Sequence, residues 1–110
     1  MIIKEKISPE ELERIFTNSS YDKVVKFVAD IEKEILSIGC DFHMECAEEL
    51  TEKEESRQKN LWGANLYKDG RIDFVSLINI KPLENNRSME IQDIGIKKKV
   101  EEITKKLLCK

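Results

Sequence analysis

The sequence predicts a single α+β domain over residues 1–110, with a mainly antiparallel sheet of three to four strands and two amphipathic helices packed on one face. Three observations predict this class. Apolar residues recur at helical spacing in two long segments, a capping pattern begins a shorter helix near the start, and Asp69-Gly70 separates two strand-like runs. The predicted element order is β-α-α-β-β-β-α.

The first two predicted elements are a short strand and a capped helix. Residues 1–7 contain three isoleucines in a charged run and fit a strand. Ser8, Pro9 and Glu11 then form a helix-start pattern, in which the serine caps the helix and the proline occupies its first position. We therefore expect a short helix from about Pro9.

The longest predicted helix covers residues 21–38. Spacings of four and three place its apolar residues on one face, namely Val24, Val28, Ile31, Ile35 and Ile38. Gly39 fits the C-terminal end of that helix. Residues 40–50 alternate imperfectly and are predicted as a strand, and residues 51–59 are predicted as a solvated loop or a frayed helical turn.

Asp69-Gly70 predicts a β-hairpin with a two-residue type I′ turn. Counting back from that turn places Trp62 opposite Leu77 and Asn60 opposite Asn79. A last helix follows, with Asp93 as its cap. Its apolar face recurs at spacings of four, three and four, at Ile96, Val100, Ile103 and Leu107.

Two helices on one face of the sheet leave its other apolar face in need of cover. A homodimer through that face is one solution. The short first helix or the loop of residues 83–92 is another, and the sequence leaves these alternatives open.

Composition limits the function classes. A formal net charge of -3 makes nucleic-acid binding a poor fit, since such domains usually carry a basic surface. No apolar run is long enough to span a membrane, and residues 1–6 lack the apolar core of a signal peptide. Cys40, Cys46 and Cys109 form no Cys-x-x-Cys pair, so we expect free thiols in a reducing compartment and a cytoplasmic protein.

His43 is the only histidine of the chain. In an extended segment it shares a face with Asp41 and Glu45, which would suit a divalent metal or a carboxylate-oriented base. Cys40 and Cys46 would then point to the opposite face, so the usual nitrogen and sulfur ligands are missing. We therefore predict no metal site and no cofactor, and a solvated or structural histidine is the simpler interpretation.

Two further polar groups are candidate sites. Asn60 and Asn79 would lie beside Trp62 at one end of the sheet, although structural bridging between strand ends is the favoured interpretation. Arg87 and Ser88 precede the last helix, where arginine and helix amides could hold an anion. Ordinary loop composition is the alternative interpretation of that segment.

The residues 60–66, Asn-Leu-Trp-Gly-Ala-Asn-Leu, carry a resemblance to a known family. Together with residues 1–8, 78–82 and 86–88, they resemble a family of small prokaryotic proteins classed as a domain of unknown function. The resemblance also covers His43-Met44-Glu45 and Ser56-Arg57-Gln58, whereas Phe42 stands where the family tends to have leucine. It implies no reaction. It adds Gln58 to the candidate binding residues, which are then His43, Gln58, Asn60, Trp62, Asn79, Arg87 and Ser88.

Two functions follow from these residues. The first is a small cytoplasmic binding or regulatory domain whose polar site recognises a small anion or a protein partner. The alternative is a small hydrolase with His43 as general base and Arg87 stabilising developing negative charge. No diagnostic nucleophile motif decides whether the chain is an enzyme.

Overall fold

The structure is a computed structural model that describes residues 1–21 and 23–108. The elements of this part of the chain are β1 (Ile2–Ile3), α1 (Pro9–Asn18), β2 (Val24–Asp30), β3 (Ile35–Cys40), α2 (His43–Glu54), β4 (Leu61–Tyr67), β5 (Ile72–Asp73) and α3 (Ile94–Leu108). The five strands form one antiparallel sheet in the order β1-β3-β2-β4-β5. The α+β class is confirmed, but the sheet has more strands than the three to four predicted.

The elements at the two ends of the chain are those predicted. In α1, the Ser8 hydroxyl accepts a hydrogen bond from the Glu11 amide at 3.1 Å, and Pro9 occupies the first turn. In α3, the Asp93 carboxylate accepts from the Ile96 amide at 3.1 Å. Both helices begin where a side chain satisfies an amide that has no partner within the helix.

The helix predicted over residues 21–38 is wrong, because 24–40 form the β2–β3 hairpin. Asp30 ends β2, where its carboxylate accepts hydrogen bonds from the amides of Glu32 and Lys33 in the turn. The neighbouring residues Phe27 and Val28 are both fully buried, on opposite faces of the sheet. A strand buried on both faces loses the alternating pattern, so its apolar spacing can imitate a helix. Asp22 lies outside the described residues.

The strand predicted over residues 40–50 is also wrong, since α2 begins at His43. Its buried residues Cys46, Ala47 and Leu50 lie three and four positions apart, which is a helical stripe. The helix continues into the segment predicted as a loop or a frayed turn. It ends at Glu54, because Glu55 adopts the left-handed conformation with φ 56°.

The hairpin at residues 69–70 exists, but its predicted register is wrong. Gly70 has φ +96° and Asp69 does not have a positive φ, so the turn is not type I′. The Gly70 amide donates to the Tyr67 carbonyl and the Tyr67 amide to the Arg71 carbonyl, which closes a three-residue loop with a glycine bulge. That extra residue shifts the pairing by one, so Leu66 lies opposite Ile72.

The short β5 changes the surroundings of Trp62 and Asn79. Trp62 pairs with Ala29 of β2, not with Leu77, and Asn79 does not face Asn60. The chain leaves the sheet after Asp73 and forms a 3-10 turn at Leu77–Asn79.

Helices cover both faces of the sheet. One face packs against α1 and α3, and Phe27 and Trp62 belong to its core. The opposite face packs against α2 through Val28, Cys46 and Leu50. The face that was expected to need a dimer partner or a loop is therefore covered in part by α2.

Candidate functional site

A cavity of about 430 Å³ lies between the first turn of α2 and the segment that follows β5. Six of its ten lining residues are apolar. The full lining is Lys26, Phe42, His43, Met44, Asn65, Val75, Ser76, Leu77, Ile78 and Met89. We call this cavity the α2 pocket.

Gly63 of β4 lies directly beneath two side chains that line the α2 pocket, and we call this position its floor. A Cβ atom at Gly63 would lie 2.6 Å from the Ser76 Cβ, 2.7 Å from the Ser76 Oγ and 3.2 Å from the His43 Cδ2. Only a residue without a side chain lets His43 and Ser76 lie this close to the sheet. The glycine of the tryptophan strand therefore shapes the pocket.

His43 is the first residue of α2, and its imidazole lies against β4. Its Nε2 is 2.9 Å from the Ala64 carbonyl oxygen. A carbonyl oxygen can only accept, so Nε2 carries the hydrogen and Nδ1 is the nitrogen that gains or loses a proton.

The environment of His43 keeps its imidazole neutral at neutral pH. Burial lowers the pKa of His43 below its ordinary value of 6.5. The nearby Lys26 charge also lowers this pKa, whereas hydrogen bonds to Ala64 and Asn65 and the charge of Asp73 raise it without cancelling the effect of burial.

Asn65 is held by a hydrogen-bond network at the edge of the α2 pocket. Its amide nitrogen donates to the Asp73 carboxylate at 2.6 Å and to the Val75 carbonyl at 3.1 Å. The Tyr67 hydroxyl donates to the other Asp73 oxygen at 2.8 Å. Both hydrogens of the Asn65 amide are thus used, and its remaining hydrogen-bonding atom is the acceptor Oδ1.

Lys26 supplies the positive charge of the α2 pocket. It pairs with Asn65 across β2 and β4, and its ammonium lies 5.4 Å from the centre of the Tyr21 ring. Within residues 1–21 and 23–108, no carboxylate lies within ion-pair distance of Lys26. A lysine of this kind can attract an anionic group into an otherwise apolar cavity.

Of the seven candidate residues from the sequence, His43 lines the α2 pocket and the other six lie elsewhere. Trp62 is 1% exposed and belongs to the core beneath α3, with the Lys81 ammonium 5.4 Å from its ring centre. Burial lowers the pKa of Lys81. Among the described residues the Trp62 indole nitrogen has no hydrogen-bond partner.

Asn79 is fully buried, and its amide completes the hydrogen bonding of β4. Its oxygen accepts from the Gly63 amide at 2.8 Å, and its nitrogen donates to the Gly63 carbonyl at 2.9 Å. The same nitrogen also contacts the carbonyls of Phe74 and Met89. The side chain takes the place of a strand neighbour where β5 has ended, which is a structural role.

The remaining candidate residues are at the surface. Asn60 donates to the Glu32 carboxylate at 3.0 Å, and Gln58 is exposed in a 3-10 turn. Arg87 is exposed and does not line the α2 pocket, and the Ser88 hydroxyl accepts from the Glu90 amide. The sequence patterns therefore do not bring Arg87 to His43.

Sequence reasoning missed two polar residues of the α2 pocket, Lys26 and Ser76, and it left Asn65 out of the candidate binding residues although the resemblance covers that position. Lys26 gave one signal, because it interrupts the apolar run of β2. The amphipathic-helix prediction hides that signal, because a lysine belongs on the solvated side of such a helix.

Cys40 and Cys46 form a disulfide, with 5.8 Å between their Cα atoms. The prediction that all cysteines are free thiols is therefore wrong for this pair, and Cys109 lies outside the described residues. The absence of a Cys-x-x-Cys pair does not exclude this bridge, because the turn into α2 brings the two cysteines together across five intervening residues. The inference of a reducing compartment loses the support that free thiols gave it.

The described part of the chain has neither a cluster of metal-ligating side chains nor a membrane-spanning helix. Within residues 1–21 and 23–108, no group of three or more His, Cys, Asp or Glu side chains is arranged to hold a metal ion. None of the helices in this part of the chain combines the length and the apolar character needed to cross a bilayer.

The chain matches a known protein family. Residues 1–107 match the model of a family described as "Protein of unknown function (DUF5674)". No curated protein and no solved structure matches the chain.

Proposed function

We propose that this chain, which belongs to the DUF5674 family of proteins of unknown function, is a small binding domain whose α2 pocket takes a small molecule with an apolar body and one anionic group. This proposal keeps the binding function expected from the sequence. It moves the site from the tryptophan strand and Arg87 to the pocket beside His43.

The observation that carries the proposal is Lys26, a cation without a carboxylate partner among the described residues, in a cavity with mainly apolar walls. Apolar walls favour burial of a hydrocarbon body, at about 25 cal/mol per Å² removed from water. A few convergent polar groups then fix the orientation of the ligand. Lys26 attracts the anion, and Nδ1 of the neutral His43 can accept a hydrogen bond from a donor on the body of the ligand.

The size of the α2 pocket favours a small molecule over a protein segment. Its volume of about 430 Å³ lies within the range of roughly 300 to 1,000 Å³ that is usual for small-molecule sites. The exposed side chains of Phe42, Met44 and Leu77 surround this cavity and would be covered in part by a bound ligand.

No observation in the described residues favours the hydrolase alternative. His43 is neutral and could accept a proton at Nδ1. Its expected partner Arg87 does not line the same pocket, so the alternative lacks the charge-stabilising group it was built on.

The proposal is tested with the fluorescent probe 8-anilinonaphthalene-1-sulfonate, which combines an aromatic body with a sulfonate. We expect saturable binding with one site per chain. Lys26→Gln should weaken it about tenfold, corresponding to ~1.4 kcal/mol. Lys99→Gln, which removes an exposed lysine from α3 on the opposite side of the sheet, is the matched control.

Displacement of the probe shows whether the pocket requires a negatively charged group on its ligand or binds any hydrophobic molecule. Octanoate should displace the probe at concentrations at which 1-octanol, with the same chain length and no charge, does not. Equal probe binding by the Lys26→Gln and wild-type proteins, or equal displacement by both compounds, would contradict the proposal.

A further inference from the structure

The Cys40–Cys46 disulfide encloses one wall of the α2 pocket. The bridge closes a short ring of chain, and Phe42, His43 and Met44 lie within it. All three of these enclosed residues line the pocket. The covalent link therefore constrains the backbone that carries this wall.

The C-terminal half of α2 is held independently of the disulfide. The Ser37 hydroxyl donates to the Glu49 carboxylate at 2.6 Å, and Lys4 forms an ion pair with Glu54 at 2.7 Å. Leu50 is fully buried against the sheet. Loss of the bridge would leave these contacts in place.

The first turn of α2 has fewer contacts with the rest of the fold. Phe42 is 69% exposed and Met44 is 61% exposed. The hydrogen bond from His43 to the Ala64 carbonyl joins this turn to the sheet, and Ser20 donates to Asp41 just before it. The disulfide links this turn covalently to the end of β3. The position of the first turn therefore depends on the bridge more than the positions of the later turns do.

The two cysteines of the bridge differ in their exposure to solvent. Both cysteines line a surface groove, but Cys46 is 1% exposed, whereas Cys40 is partly exposed. A small thiol in solution can therefore reach the Cys40 side of the bridge more readily.

We propose that thiol–disulfide exchange at Cys40–Cys46 regulates the α2 pocket: the oxidised form holds the first turn of α2 for ligand binding, and the reduced form binds more weakly. This inference rests on the proposed function, because it concerns the same pocket. A wall that is fixed before binding loses less conformational freedom when the ligand arrives.

The exchange needs a low-molecular-weight thiol as reductant. Its thiolate attacks the Cys40 sulfur, a mixed disulfide forms, and the Cys46 sulfur leaves as a thiolate that takes up a proton. A second thiol then attacks the mixed disulfide at the sulfur of the small molecule and releases Cys40 as a thiol. The net reaction transfers two electrons and two protons to the protein and produces one disulfide of the small molecule.

The test compares probe binding by the full chain before and after reduction with dithiothreitol. We expect the reduced protein to bind 8-anilinonaphthalene-1-sulfonate about three- to tenfold more weakly, because the binding-competent arrangement is less populated. Reoxidation with oxidised glutathione should restore the affinity. The Cys40→Ser variant should bind weakly with or without dithiothreitol, and Cys109→Ser should respond like the wild type.

Hydrogen exchange of the wild-type chain gives a second measurement that needs neither a probe nor a variant. Reduction should accelerate exchange of the Ala47 amide, which lies in the first turns of α2, more than exchange of the Thr51 amide one turn later. Equal effects on both amides, or equal probe affinity of the two redox forms, would overturn the regulation. Absence of probe binding in both forms would instead overturn the proposed function and the regulation with it.

Discussion

On the sheet face that α1 and α3 cover, 16 buried apolar residues form one cluster among the described residues, whereas the buried cluster on the α2 face has 6. The larger cluster contains Trp62 and borders a surface groove through Phe16, Leu66 and Leu108. The α2 face has a cavity at the N-terminal end of its helix, where Lys26 and His43 meet apolar walls. The first face therefore buries most of the apolar core, and our proposal places the binding site on the second face.

The sharpest way to separate the two faces is to shorten one apolar side chain on each. Phe27 is fully buried and does not line the α2 pocket. Phe27→Ala should therefore lower the free energy of unfolding by about 3 to 5 kcal/mol. Leu77 is 70% exposed at the pocket mouth, and Leu77→Ala should change stability by about 0.5 kcal/mol or less while weakening probe binding. Urea unfolding and probe titration measure the two effects. Similar stability losses in both variants would contradict the division.

Asn79 tests how the α2 face is held together beyond the end of β5. Asn79→Ala leaves the buried amide and carbonyl of Gly63 without their side-chain partner, and we expect a loss of about 3 kcal/mol in unfolding free energy. Asn60→Ala is the matched control, because Asn60 is partly exposed and bonds Glu32 at the surface. If both substitutions have the same small effect in urea unfolding, the structural role of Asn79 is wrong.

Substitution of Gly63 tests whether Ser76 and His43 lie as close to β4 as the geometry indicates. Gly63→Ala would force Ser76 and His43 away from the sheet, with an expected cost of about 1 to 3 kcal/mol and a loss of probe binding. Gly95→Ala near the start of α3 should change stability by about 1 kcal/mol or less and leave probe binding intact. Wild-type probe affinity in the Gly63→Ala protein would show that the floor does not shape the site.

The smallest expected effect is the pH dependence that His43 confers on stability. Its pKa is lowered in the folded chain, so the unfolded chain binds the proton first as the pH falls below about 6.5. The stability that neutral His43 contributes is fully present above the pKa of this side chain in the unfolded chain. It is lost as the pH falls through the lower pKa of His43 in the folded chain.

Unfolding of wild type and His43→Gln at pH 7.5 and pH 5 isolates this contribution, since the carboxylates common to both proteins cancel in the difference. We expect the wild type to lose more stability than the variant on acidification. The same loss in both proteins would contradict a lowered pKa of His43.

Local signals explain why the two ends of the chain could be predicted and the middle could not. Ser8 and Asp93 act on amides three residues away, so the sequence alone identifies both caps. The run from Val24 to Asp30 is buried on both faces of the sheet, and only its neighbours in space make it a strand. The error over residues 40–50 followed from the same missing information.

The site was harder to predict than the fold. His43 could be selected because it is the only histidine. The other polar residues of the pocket acquire their place through tertiary contacts, since Lys26 and Asn65 become neighbours only when β2 pairs with β4. Asn79 and Trp62 were attractive as polar or aromatic residues, yet their burial places them inside the fold.

The central claim, that the α2 pocket binds an amphipathic anion, is tested most directly by mapping octanoate binding on the amide NMR spectrum of the ¹⁵N-labelled protein. We expect saturable shifts concentrated at residues that line or underlie the pocket, namely Lys26, His43, Met44, Gly63, Asn65, Ser76 and Leu77. The Lys26→Gln protein should need about tenfold more octanoate for the same shifts. Shifts centred on α1 and α3, or no saturable shifts, would contradict the claim.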